Sequence, residues 1–264
     1  MKTPAASPEV QLGPPDFAYI RRRSFLFNFL ANYYWRVETT GLEHLPREGR
    51  AILVGNHRGF IPFDAIMVLH LIQRHTGRVP RFLVHPGLLK FRPIARFVTR
   101  MGGVLACREN AERALAADEI LGVLPEGVAG AFSLHRNAYQ LQSFGRDDFI
   151  KMALRHRAPI VPFVIVGSAD ALPIFARIQS RWWRRHMQWP YLPISTFPFL
   201  PAPLPSKWHV QILPPLHVYR QYPPESASNR ALVSSISRQV REEMQQALNQ
   251  IVSRRRCIFW GSAF

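Results

Sequence analysis

The feature that most constrains the fold is an alternation of short β-rich runs with longer segments of helical periodicity. Apolar and β-branched residues fill the short runs, and in the longer segments apolar residues recur at three- and four-residue intervals. The predicted strands cover residues 37–40, 51–54, 81–84, 120–124, 160–166 and 209–213, and the predicted helices cover 63–73, 88–100, 110–117 and 146–155. Strands separated by such helices predict an α/β domain with a mostly parallel central sheet flanked by helices.

The N-terminal part of the chain has a different pattern. Residues 1–16 contain several prolines and predict a flexible tail. Residues 17–35 predict a helix in which aromatic and apolar side chains surround Arg21, Arg22 and Arg23. Such a helix suits a membrane interface, where arginines meet lipid phosphates, and it equally suits a core-packing position with a basic outer face.

A proline-rich segment precedes the C-terminal helix. Prolines between 190 and 224 exclude a long helix there and predict extended chain. Apolar residues at three- and four-residue intervals predict an amphipathic helix over 228–252, ahead of a basic stop and an aromatic end. Residues 182–185, which read Trp-Trp-Arg-Arg, suit either a membrane contact or a packed loop with outward arginines.

The formal net charge of +17 narrows the classes of partner. It favours polyanions such as nucleic acid, anionic lipid headgroups, an acidic carrier protein or a phosphorylated cofactor. We expect no specific nucleic-acid partner, because the sequence has no zinc-finger spacing, no aromatic RNA-binding signature and no discrete basic helix. Cys107 and Cys257 make neither a disulfide framework nor a metal-ligand set, which is typical of a reducing compartment.

Neither a secretory signal nor a membrane-spanning helix is predicted. The first residues lack an uninterrupted apolar core. The most hydrophobic stretch, residues 25–35, has about half of the ~20 residues that a spanning helix needs, and Asn28 and Asn32 interrupt it. These observations predict a cytoplasmic protein, and its charge predicts peripheral association with the anionic inner face of the membrane.

The stretch GNHRGFIPFD, residues 55–64, leads from a predicted strand into a predicted helix. Pro62 suits the first turn of a helix, so His57 ends the strand and Asp64 lies in the first helical turn. A carboxylate on one imidazole nitrogen raises the basicity of the other, which suits proton abstraction from a hydroxyl that attacks a carbonyl. The alternative is that His57 caps a turn and Asp64 caps a helix.

Three further segments are unremarkable when each is taken alone. Residues 124–127 read Leu-Pro-Glu-Gly after an apolar strand, where Glu126 could accept hydrogen bonds from substrate hydroxyls and Gly127 permits close backbone approach. Residues 102–108 form a strand-like run that delivers Arg108 to a helix start. Residues 158–167 suit a buried strand.

Together and in this order, the four segments resemble the glycerolipid acyltransferase superfamily, which includes the lysophosphatidic acid acyltransferases. The family's Asn-His…Asp, Gly…Arg, Phe-Pro-Glu-Gly-Thr-Arg and Val-Pro blocks correspond to Asn56-His57…Asp64, Gly103…Arg108, residues 124–127 and residues 160–162. The resemblance covers roughly residues 25–262 and is strongest to a bacterial branch of soluble-looking members. It implies a glycerol-3-phosphate/lysophosphatidic acid acyltransferase-like fold.

The resemblance also implies a domain plan and a chemistry. An acyltransferase domain would cover 17–224, with a C-terminal amphipathic helix and aromatic end, 225–264, packed on it. The chain would be an O-acyltransferase that moves a fatty acyl group from acyl-CoA or acyl carrier protein to a hydroxyl of a glycerolipid or lysophospholipid, without a cofactor or metal. His57 would be the general base and Asp64 would orient it. The implied substrate-binding residues are Asn56, Arg108, Glu126 and Gly127.

Two departures from the family pattern bear on the acceptor. Six residues separate His57 from Asp64 where the family usually has four, which indicates a longer loop. Val128 and Ala129 replace the usual Thr and Arg, and that arginine is thought to hold the acceptor's phosphate. Arg108, Arg136 and Arg146 are the candidates to replace it. The same departure supports the alternative of a basic membrane-lipid binding protein that kept the scaffold and lost turnover.

Overall fold

A seven-stranded, mostly parallel sheet forms the centre of the molecule. The computed structural model describes residues 13–145, 147–187, 189, 191–196 and 202–259. The strand order is β1-β9-β6-β2-β5-β3-β4, and only the β6–β9 pair among these strands is antiparallel. The bounds of these strands are β1 Glu38–Thr40, β2 Ala51–Gly55, β3 Arg81–Val84, β4 Val104–Leu105, β5 Ile120–Val123, β6 Ile160–Val166 and β9 His209–Ile212. The predicted α/β fold class is confirmed.

Two further strands form a separate antiparallel hairpin. These are β7, Ile174–Gln179, and β8, Tyr191–Ser195. Neither was predicted, since the proline-rich sequence around β8 is typical of irregular chain. Pro193 lies within β8 of this two-stranded sheet, an edge position in which its missing N–H costs no ladder hydrogen bond.

Helices follow most strands and cover the sheet. Their bounds are α1 Phe17–Phe29, α2 Phe63–Thr76, α3 Pro86–Leu89, α4 Arg92–Arg100, α5 Arg108–Ala116, α6 Gly127–Ala131, α7 Asp148–Arg155, α8 Ser168–Ala171, α9 Arg181–Met187 and α10 Arg230–Arg254. The single helix predicted over 88–100 is two helices, because Pro93 occupies the first turn of α4 and a proline cannot continue a helix from its preceding turn. No described helix is both long enough and apolar enough to cross a bilayer.

The central strand β2 shows how the sheet separates two hydrophobic cores. Ile52 and Val54 pack with α5, α7 and α10 on one face, whereas Ala51 and Leu53 pack with α1 and α2 on the other. Successive side chains of a strand point to opposite faces, so a strand that is covered on both faces is apolar at every position. That burial fixes the direction in which β2 delivers the residues that follow it.

The chain ends contact the body of the domain where they are described. Asp16 caps α1 by accepting a hydrogen bond from Tyr19 N–H at 2.8 Å, and it pairs with Arg100 at 2.8 Å. Beyond α10, Ile258 O accepts a hydrogen bond from Lys207 N–H at 2.8 Å. Residues 1–12 of the predicted tail and 260–264 of the aromatic end lie outside the described residues.

Candidate active site

The candidate site lies where two neighbouring parallel strands end. Strand β2 pairs with β5, so the residues that follow them emerge at the same edge of the sheet. His57 comes just after β2, and Glu126 comes just after β5. His57 N–H donates to Glu126 Oε1 at 3.1 Å across 69 residues of sequence, which joins the two strand ends directly.

The structure brings His57 and Asp64 together, as the stretch GNHRGFIPFD predicts. His57 Nδ1–H donates to Asp64 Oδ2 at 2.8 Å. Asp64 is buried in the first turn of α2, and the same oxygen accepts Arg58 N–H at 2.8 Å. Because Nδ1 is bonded to Asp64, Nε2 is the ring nitrogen with a lone pair to accept a proton. His57 lines the cavity described below.

The electrostatic environment makes His57 a stronger base than a free histidine. Burial alone lowers the pKa of His57 because it disfavours the charged imidazolium. The charge of Asp64, its hydrogen bond and the charge of Glu126 act in the opposite direction and prevail, so the pKa of His57 lies above its usual 6.5. The site therefore favours accepting a proton at Nε2.

Arg58 connects the loops around the site, a role that the sequence analysis did not assign to it. Its side chain is almost fully buried, and Nη1–H groups donate to both oxygens of Glu126 at 2.8 and 2.9 Å. Further guanidinium N–H groups donate to the backbone carbonyls of His57, Ala138 and Gln140. The only signal in the sequence is its place next to His57, because its partners lie up to 82 residues away.

Glu126 is buried with Arg58 and accepts hydrogen bonds from groups of the protein. Its Oε1 accepts from His57 N–H and from Arg58, and its Oε2 accepts from Arg58 and from Gln142 N–H at 2.6 Å. Its side chain has no exposed surface. Glu126 also lines the cavity, and its contact with substrate hydroxyls stays a prediction. In the structure the carboxylate holds His57 N–H and Gln142 N–H of the 138–142 loop.

Asn56 also turns inward and not toward a substrate. Its Nδ2–H donates to Ile165 O at 2.9 Å, and its Oδ1 accepts Ile165 N–H at 2.7 Å. The side-chain amide thereby continues the β2–β6 ladder beyond the end of β2. The predicted substrate contact is replaced by a role in holding the strand end, because both polar atoms of this buried side chain already have backbone partners.

Helix α6 packs closely against Glu126 and the backbone of His57 at Gly130. A Cβ on Gly130 would lie 2.6 Å from Glu126 Cβ and 3.0 Å from His57 O, so a larger residue at 130 would displace one of them. Gly127 has a φ of +54°, a left-handed conformation that suits glycine. Gly127 lines the cavity as predicted for a substrate-binding residue, whereas Gly130 was missed since a single glycine is no distinctive signal.

The cavity in front of His57 has a volume of about 760 Å³ and mostly apolar walls. One part of the wall comes from α2, β3 and α4, including Leu69, Phe82 and Met101. The loop after His57 and α6 provide another part, including Phe60 and Phe132. The volume lies within the range of about 300–1,000 Å³ that is usual for ligand sites.

Of the three predicted arginines, the structure describes Arg108 and Arg136, and only Arg108 lines the cavity. Arg108 lines the cavity at the start of α5, where its Nε–H donates to Glu112 Oε1 at 2.8 Å. Arg136 is exposed on a short 3₁₀ turn and does not line the cavity. Arg146 lies outside the described residues. Lys151 and Arg155 of α7 also line the cavity, although the sequence analysis did not single them out.

Comparison with known proteins agrees with this geometry. The family model described as Acyltransferase matches residues 36–166. An uncharacterized protein of Mycobacterium leprae is 36% identical over 94% of this chain and 68% of its own length, and one of Mycobacterium tuberculosis is 34% identical over 89% and 67%. Phytyl ester synthase 2 of Arabidopsis thaliana is 33% identical over 50% of this chain and 20% of its own length.

A solved structure shares the fold. The crystal structure of the 1-acyl-sn-glycerophosphate (LPA) acyltransferase PlsC from Thermotoga maritima matches with a TM-score of 0.55. The match covers 90% of this chain and 89% of that one at 19% identity.

The buried Arg58–Glu126 pair predicts a large stability difference between two arginine substitutions. Arg58→Met leaves Glu126 as an uncompensated buried carboxylate, so we expect the free energy of unfolding to fall by about 3–5 kcal/mol. Arg50→Met removes an exposed pair with Asp118 at 2.7 Å and should cost no more than about 1 kcal/mol. Urea unfolding of both variants measures the difference, and equal losses would contradict the role given to Arg58.

Proposed function

The chain belongs to the glycerolipid acyltransferase superfamily, and we propose that it moves a fatty acyl group from acyl-CoA or acyl carrier protein to a hydroxyl of a glycerolipid or lysophospholipid. The observation that carries this proposal is the His57–Asp64 pair at the wall of an apolar cavity. The pair supplies a base, and the cavity offers room for hydrocarbon. The thioester is a substrate, so the proposal includes no cofactor.

The proposed chemistry is a direct transfer between the two substrates. The acceptor oxygen attacks the thioester carbonyl carbon while His57 Nε2 takes the hydroxyl proton, and Asp64 stabilises the imidazolium that forms. The tetrahedral intermediate then collapses, the carbon–sulfur bond breaks, and the proton passes from the imidazolium to the leaving thiolate. General base catalysis of about 10²–10⁴-fold, with alignment of two bound substrates, is enough for an activated thioester.

Arg58 and Glu126 support this step without contacting the reacting atoms. They fix the backbone of His57 from both sides, through His57 O and His57 N–H. Glu126 also helps to keep the pKa of His57 raised, although Asp64 contributes more. A base that is held rigidly in one tautomer needs little reorganisation when the proton moves.

Part of the surface suits contact with an anionic membrane, which we propose as the place where lipid substrates enter. On the β7–β8 hairpin and α9, the large side chains Phe175, Ile178 and Trp182 are more than half exposed. Arg184 and Arg185 are exposed on the same helix. Aromatic groups at headgroup depth combined with arginines on phosphates are typical of peripheral membrane proteins.

The same hairpin also contacts a residue of the cavity wall, so the proposed membrane-contact surface adjoins the cavity in front of His57. The rings of Tyr191, at the start of β8, and Phe132 have centroids 6.2 Å apart, and Phe132 lines the cavity. A second patch with the same chemistry lies on α1, where Phe25 and Tyr33 just beyond it are 83% and 72% exposed near Arg21 and Arg22. Lipid could thus pass from the bilayer into the cavity without crossing water.

Removal of the base should stop acyl transfer. We expect His57→Ala to lower the turnover rate by at least about 10²-fold, because no other group takes its place at Nε2. The assay follows labelled acyl-CoA into lipid products with a panel of lysolipids and neutral glycerolipids. Near wild-type turnover in purified His57→Ala would eliminate the mechanism, and lipid binding without product in the wild type would favour a binding protein that lost turnover.

A second histidine–aspartate pair provides the matched control for this assay. His135 Nε2 lies 2.9 Å from Asp170 Oδ1, outside the cavity lining. Asp170 keeps Tyr139 and Arg255 as partners when His135 is removed. His135→Ala should therefore retain acyl transfer, and equal losses in the two variants would point to a general effect on folding.

The rate should depend on pH through His57. Only the neutral imidazole accepts a proton, so kcat/KM should fall as the pH drops through the raised pKa of His57, at a half-point above 6.5. Asp64→Asn removes the strongest influence that raises this pKa and should move the half-point to lower pH while lowering the maximal rate. Initial rates of product formation over the neutral range measure both shifts, and a half-point at or below 6.5 in the wild type would contradict the assignment.

Membrane contact through α9 should be sensitive to local charge. Arg184→Gln/Arg185→Gln should weaken co-sedimentation with phosphatidylglycerol-containing vesicles by about 10- to 30-fold, since each arginine near the surface contributes about 1 kcal/mol. Arg230→Gln/Arg238→Gln makes the same charge change on exposed positions of α10 and serves as the control. Equal weakening by both pairs would indicate attraction by net charge alone.

A further inference from the structure

The wall of the cavity beside His57 is aromatic and uncharged. Phe60, Phe132 and Trp189 meet with ring centroids 5.6–6.4 Å apart, and Val128 and Ala131 lie next to them; we call these five residues the aromatic wall. All five line the cavity. Phe60 belongs to the loop between His57 and Asp64, and Val128 and Ala131 belong to α6, which Glu126 ties to His57. Both the loop that carries Phe60 and the Glu126–His57 hydrogen bond therefore hold the aromatic wall next to His57.

The guanidinium of Arg58, which contacts His57, is already engaged by other groups of the protein and does not offer a binding site for a substrate anion. Arg58 is 3% exposed, its charge is balanced by Glu126, and its Nε–H and Nη2–H donate to the carbonyls of Ala138 and Gln140. At position 129, directly after the wall residue Val128, the chain has an alanine. Arg177 donates to Phe132 O at 3.4 Å but does not line the cavity, so among the described residues the wall presents no lysine or arginine to the cavity.

Arg108, one of the cations that line the cavity, stands away from the base. Arg108 follows β4, and the sheet order places β5 and β3 between β4 and the strand that delivers His57. Three strand spacings amount to about 14 Å.

The separation between His57 and Arg108 limits which charged groups an acceptor can have near its reacting hydroxyl. In a glycerol phosphate ester, four bonds of about 1.5 Å separate the reacting oxygen from phosphorus, so the phosphate stays within about 6 Å of the reacting oxygen. This reach is less than half of the spacing between the strands that precede His57 and Arg108, so the phosphate would lie nearer to the aromatic wall than to the start of α5. Burial of an unpaired anion among apolar side chains is strongly unfavourable, whereas hydrocarbon gains free energy in the same place.

We propose that the acceptor is an uncharged alcohol with a long hydrocarbon part, which lies against the aromatic wall with its hydroxyl at His57. The proposal rests on the proposed function and narrows its acceptor class. Arg108, Lys151 and Arg155 then serve the phosphates of the thioester donor, whose reacting carbonyl is separated from its phosphates by a long pantetheine arm.

A matched pair of acceptors tests the proposal. The same acyl-CoA is offered with 1-oleoylglycerol or with 1-oleoylglycerol 3-phosphate in identical mixed micelles, and the esterified product is measured. We expect kcat/KM for the uncharged alcohol to be at least about 10-fold higher. An equal or higher value for the phosphate ester would overturn the inference while leaving acyl transfer established. No product from either acceptor would overturn the proposed function and this inference with it.

Two variants test the wall itself. Trp189→Ala should raise KM for 1-oleoylglycerol several-fold with little change in kcat, because it removes hydrocarbon contact and leaves the base intact. Ala129→Arg should shift the preference toward the phosphate ester, and Ala116→Arg, an equal charge change on exposed α5, should not. Unchanged KM in Trp189→Ala, or equal preferences in the two arginine variants, would count against the wall as the acceptor site.

Discussion

The position of His57, the proposed base, depends on one buried ion pair. Arg58 and Glu126 meet behind His57 and contact its backbone on both sides, and through Gln142 N–H and the carbonyls of Ala138 and Gln140 they also hold the loop that follows α6. Neither partner is tolerable in the interior without the other. Three loops from distant parts of the sequence are thus fixed by one interaction, and the cavity wall is set by the same loops.

The pair also influences the chemistry from behind the base. Burial lowers the pKa of His57, and the carboxylates of Asp64 and Glu126 raise it. The balance leaves the pKa of His57 above its usual value. Arg58 reduces the effect of Glu126, since its positive charge lowers the same pKa. An arginine that served only to neutralise a glutamate would be a costly addition to a core, but here it also holds His57 O while Glu126 holds His57 N–H, and its charge opposes the rise in the pKa of His57.

The sequence could predict the fold and the central pair, because both are encoded locally. Alternating strands and helices determine a parallel sheet, and Pro62 places Asp64 in a first helical turn within reach of His57. The polar residues around that pair could not be assigned in the same way. Asn56 and Glu126 were expected to face a substrate, yet each is satisfied by groups about 16 to 109 residues away, and the side chain of Arg58 is satisfied by groups up to 82 residues away. A position at the end of a strand indicates that a side chain is near the site. Its direction is determined by contacts with residues distant in the sequence, which the sequence alone does not show.

The overall charge of +17 and the uncharged aromatic wall beside His57 are compatible because they concern different parts of the molecule. Exposed arginines lie on α1, α9 and α10, and further cations line the α5–α7 side of the cavity. In the proposed reaction, hydrocarbon lies beside His57, where water would otherwise compete with the acceptor hydroxyl for the thioester. A dry wall at His57 favours a lipid alcohol over water for the same reason that it disfavours a phosphate: both water and phosphate lose hydrogen bonds there that the wall cannot replace. In this proposal, the same aromatic side chains disfavour both hydrolysis of the thioester and binding of an anionic acceptor.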